Sequence, residues 1–205
     1  MTATTHGFDV ETSEVAFDEI LPQKAGTALW APAFVMALAG FTAGIVLHVV
    51  KATAVADGDA VRAVTLGNLG TASMFFGFTM VFTAIAFAIA RILGAFRVGG
   101  SGVQASLGSG VKVLQMPTVG KAFIGLMAMG MMIILAGVVG HVVVATQVNS
   151  GSMSLLQAEQ WDWWLEAARR FGVQVYLFSI LLGLATIIYV VRFQTIRIRE
   201  LAQIA

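Results

Sequence analysis

Four long apolar stretches, 28–50, 69–93, 119–148 and 171–191, divide the chain, and each is free or nearly free of charge. A bilayer core of roughly 30 Å needs about 20 apolar helical residues to cross it. In lipid only helices or closed barrels satisfy their own backbone, and runs this continuous are helical. The pattern predicts an all-α membrane protein, a bundle of four transmembrane helices over residues 28–205 behind a polar, acidic tail at 1–27. Trp30 reads as an interfacial anchor at the start of the first span, and Pro117 precedes the third. The Gly/Ser-rich run from Gly99 to Gly110 between the second and third spans reads as a flexible connection.

Residues 154–170 have another character. Ser154 and Gln157 form a capping-box pattern. Leu156, Trp163, Trp164, Ala167 and Phe171 share one helical face, with Glu159, Asp162 and Glu166 opposite. That predicts a short separate helix lying in the membrane interface, where Trp is favoured.

Charge sets the orientation. Arg91, Arg97, Lys112 and Lys121 flank or occupy the connection between spans two and three, and Arg192, Arg197 and Arg199 close the chain. The positive-inside rule puts both segments, and so both termini, in the cytoplasm, with a bacterial inner membrane as the expected location. Composition agrees with a lipid solvent: 58% of residues are hydrophobic and 11% charged, against about 25% charged in soluble domains. With no cysteine, disulfides, thiolate metal sites and covalent c-type haem are excluded. A net charge of +1 gives no sign of a nucleic-acid partner. No phosphate loop, zinc motif or nucleotide fingerprint occurs. The span interiors offer no Asp, Glu, Lys or Arg, which argues against a proton pump or an ion-coupled transporter; a small transporter or channel is a third, weaker reading.

The chain also repeats itself. Residues 43–55 and 136–148 match at nine of 13 positions at a constant offset of 93, including His48 with His141 and Thr53 with Thr146. A weaker echo at offset 95 joins Phe76-Gly77 to Phe171-Gly172. Both point to a tandem repeat of a two-helix hairpin. Two helices per unit make the copies parallel, related by an axis along the membrane normal.

The repeat brings candidate chemistry with it. His48 lies 18 residues beyond Trp30 and His141 lies 20 beyond Lys121, rises of about 27 and 30 Å. The two imidazoles are therefore expected at one depth. Glycine precedes each by one turn (Gly44, Gly137), and Gly140 thins the helix beside His141. Imidazole suits iron, and glycine leaves room for a flat macrocycle between helices. The expectation is one b-type haem held by His48 and His141 between the first and third spans. The chain would then be a non-catalytic anchor subunit of a respiratory oxidoreductase complex, in contact with the lipid bilayer and other subunits. It would relay electrons between quinone, a second candidate ligand, and a partner on the outer face. The competing reading is a haem-free scaffold subunit in which each histidine bonds a neighbouring oxygen and the glycines serve close packing.

Overall fold

The computed structural model describes residues 3–5, 8–12, 21–106, 112–114 and 116–202. Four helices dominate: α1 (Leu21–Ala56), α2 (Ala60–Ser106), α3 (Thr118–Asn149) and α4 (Leu155–Ala202). All four are long and apolar enough to cross a membrane. Three short strands, β1 (Ala3–Thr5), β2 (Phe8–Thr12) and β3 (Lys112–Leu114), form an antiparallel sheet in the order β1-β2-β3. Part of the acidic tail is therefore ordered as a hairpin, with Glu11 opposite Val113 and Thr12 opposite Lys112.

The helices run well past the apolar stretches. The first starts at Leu21 rather than residue 28, because Gln23 fits against Gly94 and Gly26 lies against the backbone of Phe87 and Arg91. The second continues through Gly99 and Gly100, which the sequence reading placed in a flexible connection. Helical glycine costs about 1 kcal/mol, but α4 supports this turn: Gly100 lies against Gln194 and Arg197, and Gln194 Nε2 donates to Phe96 O at 3.0 Å. The largest correction is at residue 170. Residues 155–170 do not form a helix of their own, since Leu155–Ala202 is one helix. Glu166 clamps the expected joint by binding both Arg169 and Arg170. The capping box itself is present, with Gln157 N donating to Ser154 Oγ (3.3 Å) and Ser154 N to Gln157 Oε1 (3.0 Å).

The chain divides into two compact units: Met1–Trp30 with Ile85–Gly125 and Ser179–Ala205, and Ala31–Ala84 with Leu126–Phe178. In the first, Gly183 packs on Ile89 and Phe123, Gly120 on Thr186, and the Arg91 guanidinium lies 5.9 Å from the Trp30 ring centre. The second unit holds both hairpin tips and both histidines.

Within that second unit the hairpins close in matching ways. Gly58 (φ 74°) and Gly151 (φ 73°) end α1 and α3 in the left-handed conformation that glycine adopts freely. Gly58 N donates to Val55 O and Gly151 N to Val148 O, each at 3.1 Å. Thr53 and Thr146, matched at offset 93, donate to Val50 O and Val143 O of their own helices. Asp59 and Ser154, 95 residues apart, cap α2 and α4 through Arg62 N and Gln157 N. The glycine contacts also match. Gly77 lies against Phe41 and the Ala37 carbonyl, as Gly172 lies against Ile134 and next to Gly130. Gly44 faces Met74, and Gly137 faces Arg169.

Candidate functional site

Buried positions on α4 in this unit recur at alternating steps of three and four: Ala158, Leu165, Arg169, Gly172 and Tyr176, with half-exposed Asp162 on the same strip. Such a seam points one face of the helix at its neighbours. Its opposite face is apolar and exposed, with Trp163 and Trp164 at 74% and 76%. Of the charged residues on this stretch Arg169 alone is buried, while Glu159, Asp162, Glu166 and Arg170 keep much of their side chains exposed. The sequence reading placed Arg169 in a connection between helices, and the span interiors were expected to hold no charge. Arg169 is in fact 4% exposed and packed into α3 at Gly137. Arg197, at 4%, is buried as well.

Arg169 pairs with Glu166 through Nη2 and lies over the Phe75 ring, its guanidinium carbon 4.3 Å from the ring centre. Its Nε and Nη1 are buried without a partner. One turn along α3 from Gly137 sits His141, fully buried. His141 Nδ1 lies 2.7 Å from Asn68 Oδ1 and 3.5 Å from Asp162 Oδ1. Asn68 Nδ2 donates to Val64 O at 3.1 Å, so its oxygen is the end facing the ring. Both neighbours of Nδ1 are therefore acceptors, and Nδ1 carries the proton. Nε2 is left as a buried lone pair with no partner. An open cavity of about 450 Å³ adjoins the cluster, with Lys51, Asn68, Thr71, Glu159 and Asp162 in its wall. Cavities of roughly 300–1,000 Å³ are the usual size for small-ligand sites.

His48 sits differently. It is exposed, its Nδ1 donates to Gly44 O of its own helix at 2.8 Å, and its ring lies in the notch at Gly70. A Cβ on Gly70 would fall 2.5 Å from that Nδ1. At offset 95 from Gly70 stands Leu165, whose side chain fills the space beside Gly140. At offset 93 from Gly140 stands Leu47. One hairpin has leucine on its first helix and glycine on its second, and the other has the reverse. The position that corresponds to the His48 notch thus carries leucine, and His141 bonds Asn68.

The two imidazoles thus address α2 at Gly70 and Asn68. Two residues on a helix are about 200° apart and rise about 3 Å. The histidines are level but on opposite faces of α2, and a helix with its side chains is about 10–12 Å across. The glycine spaces are taken too: Gly44 by Met74 and the Gly70 carbonyl, Gly137 by Arg169, Gly140 by Leu165. This arrangement does not fit one haem shared by His48 and His141 between α1 and α3. Among the described residues, no group of three or more His, Asp or Glu comes together in a way that could hold a metal ion.

The sequence reading singled out His48, His141 and their glycines, but missed Asn68, Asp162 and Arg169. The signal for the last two was the charged face of 154–170 opposite the tryptophans, since ionisable residues within a long apolar helix mark candidate sites. No known protein family matches the chain, and neither does any curated protein or solved structure.

Proposed function

We propose that the chain is a haem-free membrane subunit of a larger assembly, built from two copies of one helical hairpin, with a polar cavity lined by Lys51, Asn68 and Thr71 of the first copy and Glu159 and Asp162 of the second. The observation that carries the haem-free reading is the position of α2 between the two imidazoles, with the glycine spaces filled by side chains. Support for the duplication comes from the matching turns, caps and glycine contacts at offsets 93 and 95. The subunit role rests on length. α2 and α4 contain 47 and 48 residues, about 70 Å each, against about 40–45 Å for a whole bilayer. The excess offers a firm helical surface outside the lipid. Arg91 and Arg192 beside it favour a cytoplasmic side for that surface and for both termini.

One observation favours a second reading. Each imidazole is oriented through Nδ1 by an oxygen, the arrangement that leaves Nε2 ready for a metal. In that reading the histidines would serve two separate haems, each completed by a ligand from another subunit. The reduced absorbance spectrum of the purified full chain decides. A colourless protein is expected, and a b-type band lost on replacing either histidine with alanine would overturn the haem-free reading.

A further inference from the structure

The cavity wall holds charges of both signs that do not pair with one another. Lys51 comes from α1, Asn68 and Thr71 from α2, and Glu159 and Asp162 from α4. The Lys51 side chain lies along α2 in the space left by Gly67, where an added Cβ would stand 3.0 Å from Nζ. Among the described residues neither the Lys51 ammonium nor the Glu159 carboxylate makes a hydrogen bond or ion pair, and the Asp162 carboxylate reaches only His141. Asn68 is occupied at both ends, by His141 and by Val64 O. A ligand thus meets one ammonium from the first hairpin, two carboxylates from the second, and the Thr71 hydroxyl. A simple anion would face the acids and a simple cation the lysine. A zwitterion satisfies both, through charge-assisted hydrogen bonds at each end.

Each end of that zwitterion has a definite chemistry. No aromatic ring lines the cavity, whereas quaternary ammonium groups are held by aromatic faces. A primary ammonium donates three hydrogen bonds instead, and Glu159, Asp162 and Thr71 supply the acceptors. Lysine at the other end is a compact charge that suits phosphate. Depth makes the zwitterion a lipid headgroup. Lys51 lies five residues before Ala56, the end of α1, and Glu159 four residues after Leu155, the start of α4, so both are about 6–8 Å from the hairpin tips. The polar layer of a bilayer is about 5–8 Å deep on each side. Trp161, Trp163 and Trp164 are exposed on the same stretch of α4, as at a membrane interface. Leu155 and Leu156 line the cavity and are themselves exposed, an apolar edge beside which acyl chains can leave. Packing does not require these charges. Val144 stands at offset 93 from Lys51, and Val64 and Gly67 stand at offset 95 from Glu159 and Asp162. Val144 is buried in an apolar cluster with Ala158 and Leu165.

From this juxtaposition we infer that the cavity lined by α1, α2 and α4 binds the phosphoethanolamine headgroup of a membrane lipid. The ammonium donates to Glu159, Asp162 and Thr71, and the phosphodiester accepts from Lys51. The inference rests on the reading that the chain spans a membrane, and not on its being free of haem. The two failures are distinguishable, because a haem band shows in the absorbance spectrum whichever lipid is bound.

The test is native mass spectrometry of the full chain released from detergent, titrated with phosphatidylethanolamine, phosphatidylcholine and phosphatidylglycerol of identical acyl chains. The ethanolamine lipid should bind at least about tenfold more tightly than either of the others. Glu159→Gln with Asp162→Asn should bring the ethanolamine and choline lipids to within about twofold of each other. Lys51→Val, which installs the residue of the matched position, should weaken both lipids and keep their order. Asp57→Asn, at the hairpin tip and outside the cavity, should change neither. Equal binding of the ethanolamine and choline lipids overturns the proposal, as does tightest binding of the glycerol lipid, or a preference that survives loss of both acids. Displacement of the lipid by an equal concentration of free O-phosphoethanolamine also overturns it, since the ligand would then be a solute. So does the absence of any retained lipid, which would leave the cavity to water. If the double variant fails to fold, Glu159→Gln alone, at an exposed and unbonded side chain, should still reduce the preference, and an undiminished preference overturns the proposal.

Discussion

His141 donates from Nδ1 to Asn68 Oδ1 across 2.7 Å, and this bond between α3 and α2 orders the whole polar cluster. It fixes the tautomer, leaves Nε2 as the free acceptor, and ties α3 to α2. His48 makes no such link, since its bond stays within α1.

That contrast predicts unequal costs for the same substitution. His48→Ala removes an exposed ring and a local bond, and should change stability by no more than about 0.5 kcal/mol. His141→Ala empties a fully buried site and strands Asn68 Oδ1, for about 1–3 kcal/mol. Asn68→Ala should match the larger loss. Thermal unfolding in one detergent checks all three, and equal costs for the two histidines would mean that α2 does not divide them as described.

Close approach of backbones predicts a second set. A Cβ on Gly40 would lie 2.9 Å from Gly77 N and 3.0 Å from Ser73 O, both backbone atoms that cannot yield. Gly40→Leu should therefore force α1 from α2 and cost about 1–3 kcal/mol or more. Gly99 and Gly125 have nothing within 4 Å of the same point. Alanine at either should be neutral, or stabilise by up to about 1 kcal/mol through helix propensity. Melting temperatures of the three variants, compared with the unaltered chain, give the order.

The four spans were legible in the sequence because lipid imposes a length and hydropathy that no other setting requires. Their ends were not. Gln23 packs on Gly94 and Gly100 on Gln194, contacts that carry the helices past the apolar stretches and that hydropathy does not register. The sequence match of His48 with His141 was legible, but the different partners of the two rings were not, because matching depth says nothing about azimuth. Arg169 was overlooked because a charge beside Trp163 and Trp164 reads as interfacial until the seam of α4 shows it facing inward.

Topology has a clean test because the chain contains no cysteine. Asp57 and Ser152 lie at the two hairpin tips, in turns held by bonds to Thr53 O and Gln147 O. Asp57→Cys and Ser152→Cys should both react with a membrane-impermeant maleimide in intact cells, while a cysteine added after Ala205 should react only after lysis. Labelling of the chain end from outside would invert the orientation and put the His141 cluster at the inner leaflet.

The exchange of leucine and glycine between hairpins allows the sharpest prediction. Gly70→Leu puts a side chain where the His48 ring now lies, because a Cβ alone would stand 2.5 Å from Nδ1. Overpacking of this kind costs about 1–3 kcal/mol. In the second hairpin the same leucine, Leu165, is accommodated by Gly140, whose counterpart is Leu47. Leu47→Gly added to Gly70→Leu should therefore recover part of the lost stability, although Leu47→Gly alone removes apolar packing and introduces helical glycine, itself destabilising by about 1 kcal/mol. The measurement is a double-mutant cycle of unfolding free energies, where neighbouring residues couple by about 0.5–3 kcal/mol. A favourable coupling means that the hairpins share one packing scheme with two interchangeable solutions. Strict additivity would mean that the Leu47/Gly70 and Gly140/Leu165 pairs match in sequence position only, and that the His48 and His141 rings differ for another reason.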